Sequence, residues 1–312
     1  MSSSNSSNIQ EVQFILRGFP ELHDWQYWLS FPFLVVLVLT YFGNLIIVVV
    51  IVMERSLHEP MYIFISILAA IDLVPGVSLL PILLAVLWLG SQSIPFDACF
   101  IQMFVVYLHT GMESSMLVVM AYDRYIAVCK PLQYPSIVTS AFIMKLILLI
   151  ILRSLCIVIP IPIIARTLIY CNHHNVYNVF CEYFSVINTA CNHTVISDNY
   201  LTIGVFLVAP SDTILIALSY YMIISTALSL QSKEAQQKVF STCSPHLIVI
   251  LFFYLSGTLS VIIFIFENMF PQYIRTLFAV LYITVPPALN PIIYGLKNKE
   301  IRLMISKCFR KI

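Results

Sequence analysis

Of the 312 residues, 60% are hydrophobic and 10% are charged, and the formal net charge is +1. This is more apolar surface than one soluble core can bury, so the chain reads as a polytopic membrane protein. A near-neutral charge with no continuous basic patch excludes a nucleic-acid-binding protein.

Residues Met1 to Asn8 contain neither a basic start nor an apolar core, so no cleavable signal peptide is expected and the first spanning helix serves as the signal. Apolar windows long enough to cross a bilayer, about 20 residues each, fall at 27–53, 60–88, 99–128, 141–164, 199–229, 239–266 and 273–296. Seven spans put the termini on opposite sides. With the N-terminus outside, all sixteen Lys and Arg residues except Arg17, Arg153, Arg166 and Arg275 fall on the inner side. The excess of basic residues on cytoplasmic loops therefore places the N-terminus outside. The fold class expected is an all-α membrane protein, a seven-transmembrane helix bundle with a short amphipathic C-terminal helix. Residues 1–26 form an extracellular N-terminus, 27–296 the bundle, and 297–312 a cytoplasmic helix and tail.

The outer side carries two glycosylation tripeptides, Asn5-Ser6-Ser7 and Asn192-His193-Thr194. Asn5 is the expected glycan site; Asn192 is crowded by Cys191. Cys99, Cys171, Cys181 and Cys191 also lie outside, whereas Cys129, Cys243 and Cys308 face the cytosol and Cys156 lies within the fourth span. Four cysteines in an oxidising compartment allow two disulfides, and the sequence permits three pairings.

At the inner end of the third span, Asp123 and Arg124 follow a run of apolar or small residues from Phe100 to Ala121. Such a pair sits where lipid gives way to water. It reads either as a helix-end ion pair or as the point where signal leaves the membrane. Asp72 and Glu113 are carboxylates deep in apolar runs and need partners there, since an unpaired charge costs about 2.5 to 3.5 kcal/mol on insertion scales. After the seventh span, Ile301, Met304, Ile305 and Cys308 share one helical face, which reads as a short helix lying on the inner leaflet.

The chain contains no HExxH, GxSxG or P-loop, so no enzyme and no cofactor is expected. His173-His174 beside Cys171 is set aside as a metal site because Cys171 is better used in a disulfide. Residues 273–296 include no lysine, which excludes a retinal Schiff base. No internal repeat supports a transporter, although Pro160, Pro162, Pro286, Pro287 and Pro291 mark kinks.

Cys99, the Asp123-Arg124-Tyr125 triplet and Asn290-Pro291-Ile292-Ile293-Tyr294 together resemble rhodopsin-like G-protein-coupled receptors. Further motifs narrow the resemblance to odorant receptors. They are Gly43-Asn44, Leu57 to Tyr62, Met120 to Cys129, Ser219-Tyr220, Lys238 to Leu247 and Pro286 to Gly295, covering the chain from the first span onward. Met112-Glu113-Ser114, Ser211-Asp212 and Lys297 to Arg302 resemble the class I, or fish-like, group. Two positions depart from that pattern: Tyr183 follows Cys181-Glu182 where a histidine is usual, and Pro245 replaces a small polar residue.

The resemblance implies disulfides Cys99–Cys181 and Cys171–Cys191. It implies an odorant pocket walled by Tyr107, Thr110, Gly111, Phe206, Tyr254, Thr258, Ile262 and Tyr282. Asp123, Arg124, Tyr125, Tyr220, His246 and Tyr294 are the implied G-protein switch. Asp72 and Glu113, near Asn44 and with Ser114 and Asn290, are expected to share a proton or hold a sodium ion. Asp212, standing where most such receptors have a proline, is read as a structural hydrogen-bonding residue. Leu259 to Phe266 has no basic residue, so the expected ligand is small and largely apolar rather than an acid, with Arg275 and Arg166 reaching toward lipid headgroups. The implied partners are a small-molecule odorant, membrane lipid and a heterotrimeric G protein of the olfactory stimulatory type that raises cyclic AMP. The implied location is the plasma membrane of olfactory cilia.

Overall fold

The computed structural model describes residues 13–22, 25–171 and 174–309. Among these, seven helices are long and apolar enough to cross a membrane: α1 Gln26–Met53, α2 Pro60–Leu89, α3 Phe96–Cys129, α4 Ser140–Arg166, α5 Val195–Ser229, α6 Lys233–Ile265 and α7 Gln272–Lys297. An eighth, α8, spans Lys299–Phe309. Most boundaries fall within a few residues of the apolar windows. The exceptions, α5 and α6, begin earlier because polar residues outside the apolar run cap them. Thr194 and Ser197 form a reciprocal capping box at α5, and the Ser232 hydroxyl accepts from the Ala235 amide at α6.

Several spans are interrupted. A π-helical segment, Leu39–Gly43, lies within α1. Proline, which lacks an amide donor, accompanies the breaks at Leu79 in α2 and Ile159 in α4. α7 keeps its helical path through Pro286, Pro287 and Pro291.

α3 is the hub: it packs on α2, α4, α5 and α6, while α7 closes the ring against α1, α2 and α6. Half of the apolar window of α3 is buried, against 17% for α5 and 22% for α6, so the latter two are peripheral. Leu207, Tyr221, Leu251 and Leu255 stand exposed on those two helices, an outward apolar surface that suits lipid rather than water.

Three short strands add a feature that the all-α expectation did not include. β1 (Gln13–Leu16) pairs antiparallel with β2 (Gln92–Pro95) and parallel with β3 (Asn175–Val176). Phe14 and Leu16 are fully buried, and Phe14 stacks on Phe96 at 5.6 Å, which ties the N-terminal segment across one end of the bundle. That end also carries both disulfides, Cys99–Cys181 and Cys171–Cys191, as the resemblance implied. Asn5 lies outside the described residues. Asn192 turns its side-chain oxygen to the Ile169 amide at 2.6 Å.

At the opposite end, α8 folds back on α1 and α7. Asn298 accepts from the amides of Glu300 and Ile301 at its start. Ile301 is fully buried, and Met304, Ile305 and Cys308 pack beside it against the bundle. The expected apolar face therefore seats on protein. Tyr62 donates to Glu300 at 2.6 Å and secures the contact.

Gly43 marks the closest approach of α1 and α7, since a Cβ there would stand 2.7 Å from Pro291 Cγ. A proline ring cannot rotate away, so Gly43→Ala is expected to cost about 1–3 kcal/mol through overpacking and to lower the thermal unfolding midpoint in detergent. Gly204→Ala, with nothing within 4 Å, is expected to leave the midpoint unchanged or raise it, because alanine favours the helix.

Candidate functional site

Three polar or hollow regions follow one another along the bundle. The first, at the disulfide end, is a cavity of about 500 Å³ between α3, α5, α6 and α7. The segment around Cys181 roofs it. Cys181 is tethered to Cys99, and its amide donates to Gln102 at 3.0 Å. Glu182 caps the helical turn Tyr183–Ile187 by accepting from the amides of Phe184 and Ser185. Tyr107 donates to Glu182 at 3.2 Å, and Phe184 stacks on Phe264 with ring centres 4.1 Å apart. Burial and the charge of Asp198 push the Tyr183 phenol up to about 12, so it remains a donor, bonded to the Ser197 carbonyl at 2.8 Å. Arg275 is the only cation among the described lining residues. It is spent on Glu267 at 2.8 Å and on Gln272.

Beneath the cavity lies a buried polar layer. Asn290 of α7 donates to Asp72 of α2 at 2.7 Å. His109 Nε2 stands 3.6 Å from Glu113 and 3.9 Å from Asp72. All three ionisable side chains are almost fully buried. A neighbouring network joins four helices. Arg153 of α4 pairs with Asp212 of α5 at 2.7 Å and donates to Ser115 at 2.7 Å. Ser114 donates to Asp212 at 2.7 Å and shares a 3.0 Å bond with Tyr254 of α6.

The third region is the far end of α3. Arg124 holds the Asp123 carboxylate through two donors, and Tyr134 donates to the same carboxylate at 2.7 Å. Burial and then the Asp123 charge raise the Tyr134 phenol well above its ordinary value, so it stays a neutral donor. A small recess there is lined by Met120, Asp123, Arg124, His246 and Tyr294. Tyr220 of α5 bonds His246 of α6 at 2.9 Å.

A family model described as "Olfactory receptor" matches residues 33–311. The chain belongs to the olfactory receptor family. Its similarity to the mouse protein "Olfactory receptor 56B34" is 38% identity over 99% of this chain and 96% of that one. To the human "Olfactory receptor 56B2" it is 39%, over 99% of this chain and 98% of the relative. Squid rhodopsin shares the fold, with a TM-score of 0.74 at 17% identity, covering 92% of this chain and 86% of that one. This olfactory receptor is therefore a seven-helix, multi-pass membrane protein of a receptor class that takes small-molecule ligands, couples to G proteins and is not enzymatic.

Of the eight pocket residues implied by the motifs, Tyr107, Thr110, Phe206 and Tyr282 line the cavity of the receptor, and the other four do not. Gly111 faces Ser154 and Val158 of α4. Tyr254 is engaged by Ser114. Thr258 and Ile262 point outward, and Ser260, Val261 and Phe264 take their place. The four-residue spacing from Tyr254 through Thr258 to Ile262 does define one stripe of α6, but periodicity leaves open which way the stripe faces.

Ser114 is likewise absent from the Asp72 cluster, because its hydroxyl is used on Asp212 and Tyr254. Asn44 donates to the backbone carbonyls of Thr40 and Pro287 rather than to Asp72. Tyr125 turns away from the recess, its ring 5.8 Å from Lys130. Three participants were missed: His109, Arg153 and Tyr134. The His109-x-x-x-Glu113 spacing, which puts both side chains on one helical face, could have exposed the first.

Asp212 depends on Arg153 for charge compensation at a depth where neither water nor lipid supplies it. Arg153→Met is expected to destabilise the receptor by about 3 kcal/mol or more through the stranded carboxylate. Adding Asp212→Leu should recover most of the loss in thermal unfolding.

Proposed function

We propose that this receptor binds a small, largely apolar odorant in the cavity beneath the Cys181 segment. Binding favours a state in which the far end of α6 moves outward and admits a stimulatory G protein, raising cyclic AMP. The observation that carries the reading is the cavity between α3, α5, α6 and α7 in a member of the olfactory receptor family. Arg275 is already neutralised by Glu267, which argues against a carboxylate ligand. The positive-inside distribution and the disulfides at the opposite end from Arg124 support an extracellular N-terminus, and membership of the family supports a ciliary plasma membrane.

In this mechanism Asp123, itself held by Tyr134, holds Arg124 in the resting receptor. Activation releases Arg124 toward Tyr220 and the G protein as the Tyr220–His246 contact between α5 and α6 opens. The pair Asp72 and Glu113 acts as a cation or proton site that biases the resting packing of α2, α3 and α7. An Asp72→Asn receptor is expected to show altered basal and ligand-driven signalling; unchanged signalling removes this role.

A cyclic AMP screen of a chemically diverse odorant panel tests the reading. Responses are expected from small apolar molecules. Thr110→Phe, which fills the cavity, should abolish them at normal surface expression, whereas Arg275→Ala should keep them. A receptor that answers only short-chain acids, and loses that answer in Arg275→Ala, overturns the ligand class. Arg124→Ala at normal surface expression is expected to abolish ligand-evoked cyclic AMP; a full response returns the Asp123–Arg124 pair to a helix-end role.

A further inference from the structure

We propose that Arg17, directly after the N-terminal strand β1, is a positioning residue for ligand choice: it turns the Asn175 carboxamide so that its N–H donors face the cavity and select a neutral ligand carrying an acceptor oxygen. The proposal rests on the cavity reading above and names the one polar group that an otherwise apolar ligand presents. Arg17 Nε donates to Asn175 Oδ1 at 2.9 Å. A guanidinium has donors and no acceptor, so the carboxamide oxygen must face Arg17 and the amide nitrogen must face the other way. Asn175 lines the cavity and Arg17 does not, so the other way is toward the ligand. Asn175 makes no second side-chain hydrogen bond among the described residues.

The backbone around Asn175 is gripped from two sides. On one side the amides of Ile15, Arg17 and Gly18 donate to the carbonyls of His174, Val176 and Asn178 at 2.8, 2.9 and 3.1 Å. On the other, Gln272 of α7 donates to the Tyr177 carbonyl at 2.7 Å. Phe14, Leu16 and Val176 are fully buried, which fixes the register of β1 on β3. Side chains alternate along a strand, and Ile15 pairs with Asn175, so Arg17 and Asn175 share the opposite face. Other polar groups on the lining are engaged or undirected. Thr110 donates to the Val106 carbonyl, Tyr107 to Glu182 and Asn178 to Ser185. The hydroxyls of Thr202, Ser260 and Tyr282 can donate or accept, and so do not discriminate. An amide nitrogen only donates. A ketone, ester or ether oxygen can meet it, whereas a hydrocarbon leaves it unpaired and loses affinity.

The test measures cyclic AMP from the full-length receptor, at matched surface expression, across neutral ketones, esters and ethers of about six to ten carbons, a size that suits the cavity. Each is paired with the alkane of the same length. Wild type is expected to answer the oxygenated member at a concentration about fivefold to tenfold below that of its alkane, as one net hydrogen bond gives. Asn175→Asp keeps an oxygen for Arg17 and removes the donor, so the preference should disappear with the roof still in place. Arg17→Met should lower the preference by freeing the carboxamide to turn, and Arg17→Lys, which can still donate to the oxygen, should restore part of it. Loosened packing alone weakens both members of a pair equally; an unchanged ratio in Asn175→Asp and Arg17→Met therefore overturns the proposal. Should Arg17→Met not reach the surface, the ratio in Asn175→Asp decides. A wild-type receptor that answers both members without preference also overturns it, while Thr110→Phe abolishing both answers leaves the cavity reading standing. Silence toward the whole panel overturns the cavity reading itself, which separates the two claims.

Discussion

Charged and polar side chains buried at membrane depth must find partners inside the protein, and that constraint organises this receptor around α3. His109, Glu113, Ser114, Ser115, Asp123 and Arg124 are all buried along this one helix. Neither lipid nor bulk water can solvate them there. Their partners come from α2, from α4 with α5 and α6, and from the loop after α3. The polar groups on the hub thus dictate which helices approach it and at what height. Apolar packing fills the space between, in two clusters on either side of the polar layer.

The same constraint offers a physical route from one end of the bundle to the other. Tyr282 lines the cavity and packs on Phe253 of α6, with ring centres 5.7 Å apart. One turn from Phe253's neighbour, Gly257 gives Tyr282 its room, since any Cβ there would meet the ring at 2.9 Å. Tyr254 on the same helix is tied through Ser114 to Asp212 and Arg153. At the far end α6 is held again by the Tyr220–His246 bond. In the proposed mechanism a ligand needs only to favour a different arrangement of α6 at its upper contacts, because the polar tie between α5 and α6 at the lower end rests on the Tyr220 hydroxyl, bonded to His246 and the Cys243 carbonyl. Each such bond contributes about 1 kcal/mol net, which a modest difference in ligand affinity between states can offset.

The disulfide end follows a different logic. It has backbone that is not helical, and such backbone must pair with something when buried. Pairing among β1, β2 and β3 supplies partners for the N-terminal segment, and the Cys99–Cys181 link fixes the roof over the cavity. No periodic signal announces strands of two to four residues. Their existence depends on segments about 80 residues apart coming together, as β1 and β2 do, so the sheet was invisible in the chain read alone.

The sequence by itself determined the number and order of the spans, the side of the bundle on which the basic residues gather, the apolar face of α8 and the family to which the motifs point. These are one-dimensional properties: an apolar run must reach across about 30 Å of hydrocarbon, and a motif is a fixed order of residues. Tertiary structure alone decided which polar groups meet. Asp72 and Glu113 were each recognisable as needing a partner, yet their joining by His109, the diversion of Ser114 to Asp212, and the capture of Asp212 by Arg153 depend on the rotation of each helix about its own axis. Periodicity leaves that rotation free, because a stripe of residues on a helix has a spacing but no direction until the neighbouring helices are in place.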